Sequence, residues 1–205
     1  MSNDPAASTS EPTPSHPPKE RPVWLQMVMG LVMAIVGLLV VALLISFLLP
    51  STYTVTRSIV IDAPPAEIHP YIETLNQWPE WTTWNTERFP ELVYSYEGPE
   101  AGVGAIQKWT DPEMGSGRLE ITESSEADGI RFTLLFEQSP EPLTGSIVYA
   151  ATDGGGTRVT WIGNGDVGSN PVARYFGLMM DSMIGVDYEA GLCKLKILVE
   201  APHAE

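Results

Sequence analysis

The chain has 205 residues, enough for one ordinary domain with additional segments, and its formal net charge is −15. The acidity is uneven, since the region after residue 50 carries a charge of about −14 by itself. Such a surface repels phosphate groups, so the composition excludes nucleic acid as a partner.

Residues 1–22 contain six prolines and, after the initiator methionine, no aromatic or large aliphatic residue. A segment of this composition cannot bury enough apolar surface to offset the entropy lost on ordering, which predicts a disordered tail. A proline-rich ligand for a partner protein is the alternative, and the composition favours the solvated tail.

Residues 23–49 carry no charge and predict one transmembrane helix. At about 1.5 Å per residue, a helix of this length crosses a hydrocarbon core of roughly 30 Å. Trp24 stands at one end, where an interfacial aromatic side chain belongs, and Pro50 marks the other end. A cleaved signal peptide is the alternative, but the apolar run is too long for one and no A-x-A-like cleavage site follows it.

The charges that flank this helix predict its orientation by a margin of one positive charge. Lys19 and Arg21 precede the helix, and only Arg57 follows it closely. The positive-inside rule then places the N-terminus in the cytoplasm and the globular domain on the outer, periplasmic or extracytoplasmic side of a single-pass membrane protein.

Residues 51–201 predict one α+β domain. A β-branched run at 52–62 predicts a strand, and 63–75 predicts a short or kinked helix because Pro70 falls in its middle. Six further runs alternate apolar and polar residues and are separated by turn signals, which predicts an antiparallel meander. These runs are 91–98, 105–111, 117–124, 129–138, 143–151 and 157–165.

Residues 170–201 predict one long amphipathic helix that lies on the sheet, with Asn170 as its N-cap and Pro171 at the first helical position. Apolar residues recur at alternating steps of four and three and predict its buried face: Val172, Phe176, Met179, Met183, Val186, Ala190, Cys193 and Ile197. The glycines at 177, 185 and 191 predict a bend or the close approach of another backbone.

Four segments carry a family resemblance: RSIVIDAPPAEIHPYI, NQWPEWTTWN, GPEAGVGAIQKW and MIGVDYEAGLCKLK. Together they resemble the START-like (SRPBCC) superfamily, in its polyketide cyclase/dehydrase and lipid transport branch, over about residues 53–201. The resemblance implies a helix-grip fold, in which a curved antiparallel sheet of about seven strands wraps a long C-terminal helix and an apolar cavity lies between them. It also implies binding of lipids, sterols or polyketides, with cyclisation of polyketides in some members.

Aromatic and methionine side chains are the candidate lining of such a cavity: Trp78, Trp81, Trp84, Trp109, Phe136, Trp161, Phe176, Met179 and Met183. Ordinary core packing is the alternative for the methionines. The first three tryptophans recur every three residues, so a tight helical turn would place them on one side, where they cap one end of the sheet. We expect packing as their main role and cavity lining as a second one.

The residues with catalytic chemistry are sparse. His69 is the only histidine inside the domain, and without a nucleophile or a metal-ligand partner it is best interpreted as a surface residue on its helix. Asp187 and Glu189 are two apart on a helix and point to different sides, so they cannot form a carboxylate pair. Cys193, the only cysteine, is predicted to be a buried, inert thiol. No disulfide and no closed zinc site can form, and we expect no metal and no cofactor.

Two hypotheses of function follow from these patterns. The first is a membrane-anchored domain that binds a hydrophobic small molecule or lipid in its cavity, without catalysis. The second is a non-catalytic envelope interaction or structural protein whose cavity is vestigial, with a protein partner that the sequence does not identify. Polyketide cyclase-like catalysis is a distant third and would require an acid–base pair inside the cavity.

Overall fold

The computed structural model describes residues 22–137, 139 and 141–201. The predicted tail therefore lies outside the described residues, except for residue 22. The chain divides into two compact units between Ala42 and Leu43, and each unit is described by itself.

The first described element is helix α1, Val23–Ser46, whose side chains are apolar on every face. It is long and apolar enough to cross a membrane. A signal sequence near an N-terminus has the same two properties.

Seven strands form one antiparallel sheet in the second unit, which is the α+β helix-grip architecture that the resemblance implies. The strand order is β1-β7-β6-β5-β4-β3-β2, so the six-strand meander is closed on one side by the first strand. The strands are β1 (Thr52–Ile61), β2 (Val93–Glu97), β3 (Ile106–Asp111), β4 (Gly115–Ser125), β5 (Gly129–Phe136), β6 (Leu143–Ala151) and β7 (Thr157–Asp166).

Two short helices and a 3₁₀ turn connect β1 to β2. Helix α2 (Pro65–Glu73) starts on a proline and contains Pro70, which limits it to nine residues, as its sequence predicts. The 3₁₀ turn Leu75–Gln77 leads into the single helical turn α3 (Trp78–Trp81). This turn places two of the clustered tryptophans over the sheet.

The C-terminal segment forms two helices, α4 (Pro171–Gly177) and α5 (Met180–Glu200), where one helix is predicted. The Asn170 side chain caps α4 by accepting hydrogen bonds from the backbone N–H of Val172 at 2.9 Å and of Ala173 at 3.3 Å. The helix is interrupted directly after Gly177, at Leu178 and Met179.

The predicted buried face of the C-terminal helix is wrong. The structure buries Gly185, Tyr188, Gly191, Leu192, Leu195 and Val199. The predicted stripe is largely exposed instead, and Val172 is 64% and Ile197 69% accessible. Cys193, predicted to be buried, is also exposed. The buried series 188, 192, 195 and 199 has the same four-three spacing, so periodicity alone cannot choose between the two faces.

The glycines on α5 explain which face packs inward. A Cβ atom at position 185 would lie 2.0 Å from Nη2 of Arg57, and one at 191 would lie 3.5 Å from the carbonyl oxygen of Trp81. The guanidinium of Arg57 crosses the helix at Gly185 and donates hydrogen bonds to Asp181 at 2.7 Å and to Glu189 at 2.6 Å. The helix thus approaches β1 and α3 most closely where it has no side chain.

Candidate ligand cavity

A cavity of about 240 Å³ lies between the inner face of the sheet and α5. The strands contribute most of its wall because alternate residues of each strand point to this face. Helix α5 contributes Ile184, Asp187 and Tyr188, and the segment around α3 contributes Trp78 and Trp84. The lining is predominantly aromatic and aliphatic, which is typical of sites for small apolar ligands.

An aromatic cluster centred on Trp161 forms one end of the cavity. Its ring stacks on Tyr188 of α5 with centroids 4.2 Å apart and planes 5° from parallel. The rings of Trp78, Trp81 and Trp84 surround it at 5.8, 5.3 and 5.9 Å. These contacts join β7, α5 and the tryptophan segment into one packed unit, in which aromatic pairs contribute beyond the area that they bury.

The structure brings five of the nine predicted lining residues to the cavity: Trp78, Trp84, Trp109, Phe136 and Trp161. Trp81 lies outside the lining and is completely buried, and its indole N–H donates to the carbonyl of Tyr71 at 3.1 Å. Its position therefore matches the packing role that the sequence also predicts.

Phe176, Met179 and Met183 are not at the cavity, which corrects the sequence prediction. All three side chains are more than half exposed on the outer side of α4 and α5. The cause is the choice of helix face: the stripe that contains them points away from the sheet, whereas Ile184 and Tyr188 point into it.

Sequence reasoning missed Tyr53, Tyr188 and Ile184 as lining residues. A signal for Tyr53 was present in the alternation of β1. Tyr53 and Val55 are two residues apart, so their side chains lie on the same, inward face of the sheet. The signal for Tyr188 was the position of glycines 185 and 191 on its own face of the helix, since such residues permit close packing of a helix on a sheet.

The polar groups at the cavity are few, and several are already paired. The Tyr94 hydroxyl donates to the carbonyl of Trp84 at 2.8 Å, and the Gln107 amide donates to the carbonyl of Leu75 at 3.3 Å. Burial raises the pKa of Tyr94 and of Tyr188, so both phenols remain protonated and neutral at physiological pH.

Two cavity-lining indoles keep a hydrogen-bond donor unused. Within the part of the chain that the structure describes, the Nε1–H groups of Trp109 and Trp161 are buried and have no acceptor. A buried donor without a partner is costly, and small side-chain movements towards an oxygen atom of a ligand would relieve that cost.

Comparison with known families agrees with this architecture. The family model described as polyketide cyclase / dehydrase and lipid transport matches residues 52–200. The chain belongs to this family. No curated protein matches the chain.

Solved structures show the same fold at low sequence identity. The di-domain ARO/CYC protein StfQ from the steffimycin biosynthetic pathway has a TM-score of 0.54 and 13% identity; the match covers 73% of this chain and 51% of that one. A protein from Nitrosospira multiformis has a TM-score of 0.51 and 17% identity, covering 72% and 97% of the two chains. Aha1 from Colwellia psychrerythraea, solved as a dimer, has a TM-score of 0.50 and 16% identity, covering 74% and 98%. At these identities the likeness concerns the fold alone.

The cavity of this family member contains one carboxylate among its described lining residues, that of Asp187. That carboxylate forms a salt bridge with Arg88, so its negative charge is balanced. In the described residues, no group of three or more histidine, cysteine, aspartate and glutamate side chains could hold a metal ion. The arrangement therefore offers an apolar enclosure with a few neutral hydrogen-bonding groups.

His69 lies apart from the cavity and is buried, in contrast to the predicted surface position. Its ring nitrogens are 3.1 Å from the Tyr149 hydroxyl and 3.1 Å from the Ser124 hydroxyl, and Glu73 lies 3.3 Å away. Burial raises the pKa of Tyr149, the first of these partners. The contacts join α2 to β4 and β6, so His69 holds this helix against the sheet.

Proposed function

We propose that the domain binds one hydrophobic small molecule, or part of a lipid, in the cavity between its sheet and α5, beside the membrane that α1 crosses. The observation that carries the proposal is the cavity itself, a partly open space with an aromatic and aliphatic wall. The family's description includes lipid transport, which is consistent with such a ligand.

The size of the cavity limits the ligand. Its volume of about 240 Å³ lies just below the range of roughly 300–1,000 Å³ for pockets that enclose drug-sized molecules. A compact apolar molecule or the end of one acyl chain fits this space, whereas a complete two-chain lipid does not. An oxygen atom on the ligand would suit the unused N–H groups of Trp109 and Trp161.

The titratable side chains at the cavity fit binding without catalysis better than they fit an enzyme active site. A general acid–base step needs a titratable side chain that is free to exchange a proton near neutral pH. Asp187 is engaged by Arg88, and the phenols of Tyr94 and Tyr188 are held in the protonated form by burial. The proposal therefore assigns the cavity residues to enclosure and orientation of the ligand.

A membrane anchor would serve such a domain. If Val23–Ser46 crosses the bilayer, the cavity is tethered next to a lipid source, and its effective concentration there is raised without any further contact. The charges that flank the helix favour the outer side of the membrane for the domain, as the sequence predicts.

The test combines native mass spectrometry with a cavity-filling variant. The full chain, purified in detergent, is expected to retain a small apolar molecule that is released on denaturation. Leu134→Trp adds a large ring to the cavity wall and should reduce ligand occupancy by about tenfold or more, equivalent to roughly 1.4 kcal/mol of binding free energy.

Leu135→Trp is the matched control. Leu135 is the next residue of the same strand, but its side chain lies on the outward face and is 39% exposed. This variant should keep the occupancy of the unaltered chain. If the purified chain carries no small molecule and takes up no fatty acid at millimolar concentration, the proposal fails, and the envelope interaction protein with a vestigial cavity becomes the better hypothesis.

A further inference from the structure

The outer side of α4 and of the first turn of α5 carries an exposed apolar patch, defined here as Val172, Phe176, Leu178, Met179 and Met183 and called the α4 patch. Each of these five side chains is more than half accessible. They occur within a short stretch of chain, and none of them contributes to the core. Contiguous apolar surface of this kind marks a site of contact with a protein or a membrane.

The α4 patch lies next to the end of the apolar N-terminal segment. Arg174, in the middle of α4, donates from Nη1 to the carbonyl oxygens of Ser46 at 3.4 Å, Phe47 at 3.2 Å and Leu49 at 3.1 Å. These residues belong to the same compact unit as the sheet. They end the uncharged apolar segment, and Phe47 and Leu48 are themselves exposed. The α4 patch is therefore fixed beside the place where the apolar segment ends.

The α4 patch has few charged residues around it. Residues 167–180 contain no acidic side chain in a chain whose net charge is −15, and their one charged group is Arg174. The two flanking carboxylates have partners within the domain: Asp166 accepts a hydrogen bond from the backbone N–H of Gly168 at 2.7 Å, and Asp181 pairs with Arg57 at 2.7 Å. An apolar helix face without repelling charge, next to the end of a membrane-spanning helix, has the properties of an interfacial element.

We propose that the α4 patch lies in the interfacial layer of the bilayer, with its side chains among the lipid headgroups and the upper acyl chains. The inference rests on the proposed membrane anchor and adds a second contact of the domain with the same membrane. Met183 directly precedes Ile184, which lines the cavity, so one turn of α5 would connect the lipid surface to the cavity wall.

The depth of single labels in a bilayer tests this arrangement. Cys193 is exposed, so Cys193→Ser gives a cysteine-free full chain without altering the core. Met179→Cys or Phe176→Cys in that background is labelled with a nitrobenzoxadiazole fluorophore, and the chain is reconstituted into phosphatidylcholine vesicles that contain lipids with a nitroxide near the headgroup. Quenching of both labels should be several-fold stronger than that of a label at Leu135→Cys, on the outer face of the sheet.

Two further measurements separate the possible outcomes. A label at Ile35→Cys, measured in vesicles whose lipids carry the nitroxide near the end of the acyl chain, reports whether α1 itself is in the bilayer, because Ile35 lies at the middle of the apolar segment. If that label is quenched while the labels on the patch behave like the one at Leu135→Cys, the α4 patch is not in the membrane although the anchor stands. If the Ile35→Cys label also remains unquenched, the anchor fails and the inference with it. Disulfide-linked dimers of the Met179→Cys variant, without lipid quenching, would identify a second copy as the occupant and overturn the proposal.

Discussion

Trp81 and Trp84 are three residues apart and have different surroundings. Trp81 is a completely buried member of the aromatic cluster and donates a hydrogen bond to the Tyr71 carbonyl. Trp84 is half-buried, lines the cavity and packs edge-on against Trp161 with centroids 5.9 Å apart. Trp81 is therefore expected to contribute mainly to stability, and Trp84 mainly to the cavity wall.

Trp81→Ala should mainly destabilise the fold. It removes a fully buried ring and leaves a void next to Trp161, for which a loss of about 3–5 kcal/mol of unfolding free energy is typical. Chemical denaturation monitored by circular dichroism measures the loss. Trp84→Ala is the control, with a smaller loss of stability and a larger effect on ligand occupancy. Unchanged stability of Trp81→Ala together with abolished ligand binding would contradict this division.

Two glycines, Gly185 and Gly191, determine how closely helix α5 packs on its neighbours. Gly185 admits the guanidinium of Arg57, which joins Asp181 and Glu189 on either side of that glycine. Gly191 admits the backbone of α3 and the Trp161 ring, and a Cβ atom at this position would lie 3.3 Å from the nearest atom of that ring. Of the side chains between these two glycines, those of Asp187 and Tyr188 line the cavity.

Gly191→Leu should separate α5 from α3 and the sheet. The added side chain would meet Trp161 and the backbone at Trp81, and overpacking of this kind costs about 1–3 kcal/mol. Thermal and denaturant unfolding measure the change in stability. Cys193→Leu, two residues further along and exposed, should change stability by less than about 0.5 kcal/mol. Equal effects of the two substitutions would show that the close approach at Gly191 has no energetic role.

At the scale of the whole molecule, a strongly acidic helix-grip domain follows an uncharged helix that is long enough to cross a membrane. The acidic exterior would be repelled by anionic lipid headgroups, while the α4 patch is free of acidic residues. The proposed arrangement therefore has one neutral apolar side towards the bilayer and the charged remainder in water.

The orientation can be measured with reporter fusions at the C-terminus. Lys19 and Arg21 before the helix predict that alkaline phosphatase fused there is active, because it folds outside the cytoplasm. N-terminal sequencing of the membrane-bound fusion should recover residues that precede Val23, which distinguishes an anchor from a cleaved signal sequence. A fluorescent C-terminal fusion of a protein that matures only in the cytoplasm would place the domain on the opposite side.

The seven strands and the family can be predicted from the sequence alone, whereas the division of the C-terminal segment into two helices cannot. Strand alternation, the proline positions and the N-cap at Asn170 are local properties, and they placed the seven strands and the start of the C-terminal segment correctly. The spacing of Trp78, Trp81 and Trp84 is also local and predicts that the three rings lie on one side; in the structure all three contact the ring of Trp161.

The inward face of α5, in contrast, depends on its tertiary contacts. The helix carries two apolar series with the same four-three period, and a one-dimensional pattern contains no information that ranks them. The choice depends on steric fit: Gly185 and Gly191 allow β1 and α3 to approach one face, so Tyr188 enters the cavity wall. Phe176, Met179 and Met183 are consequently left on the outside, where the sequence alone had placed them in the cavity.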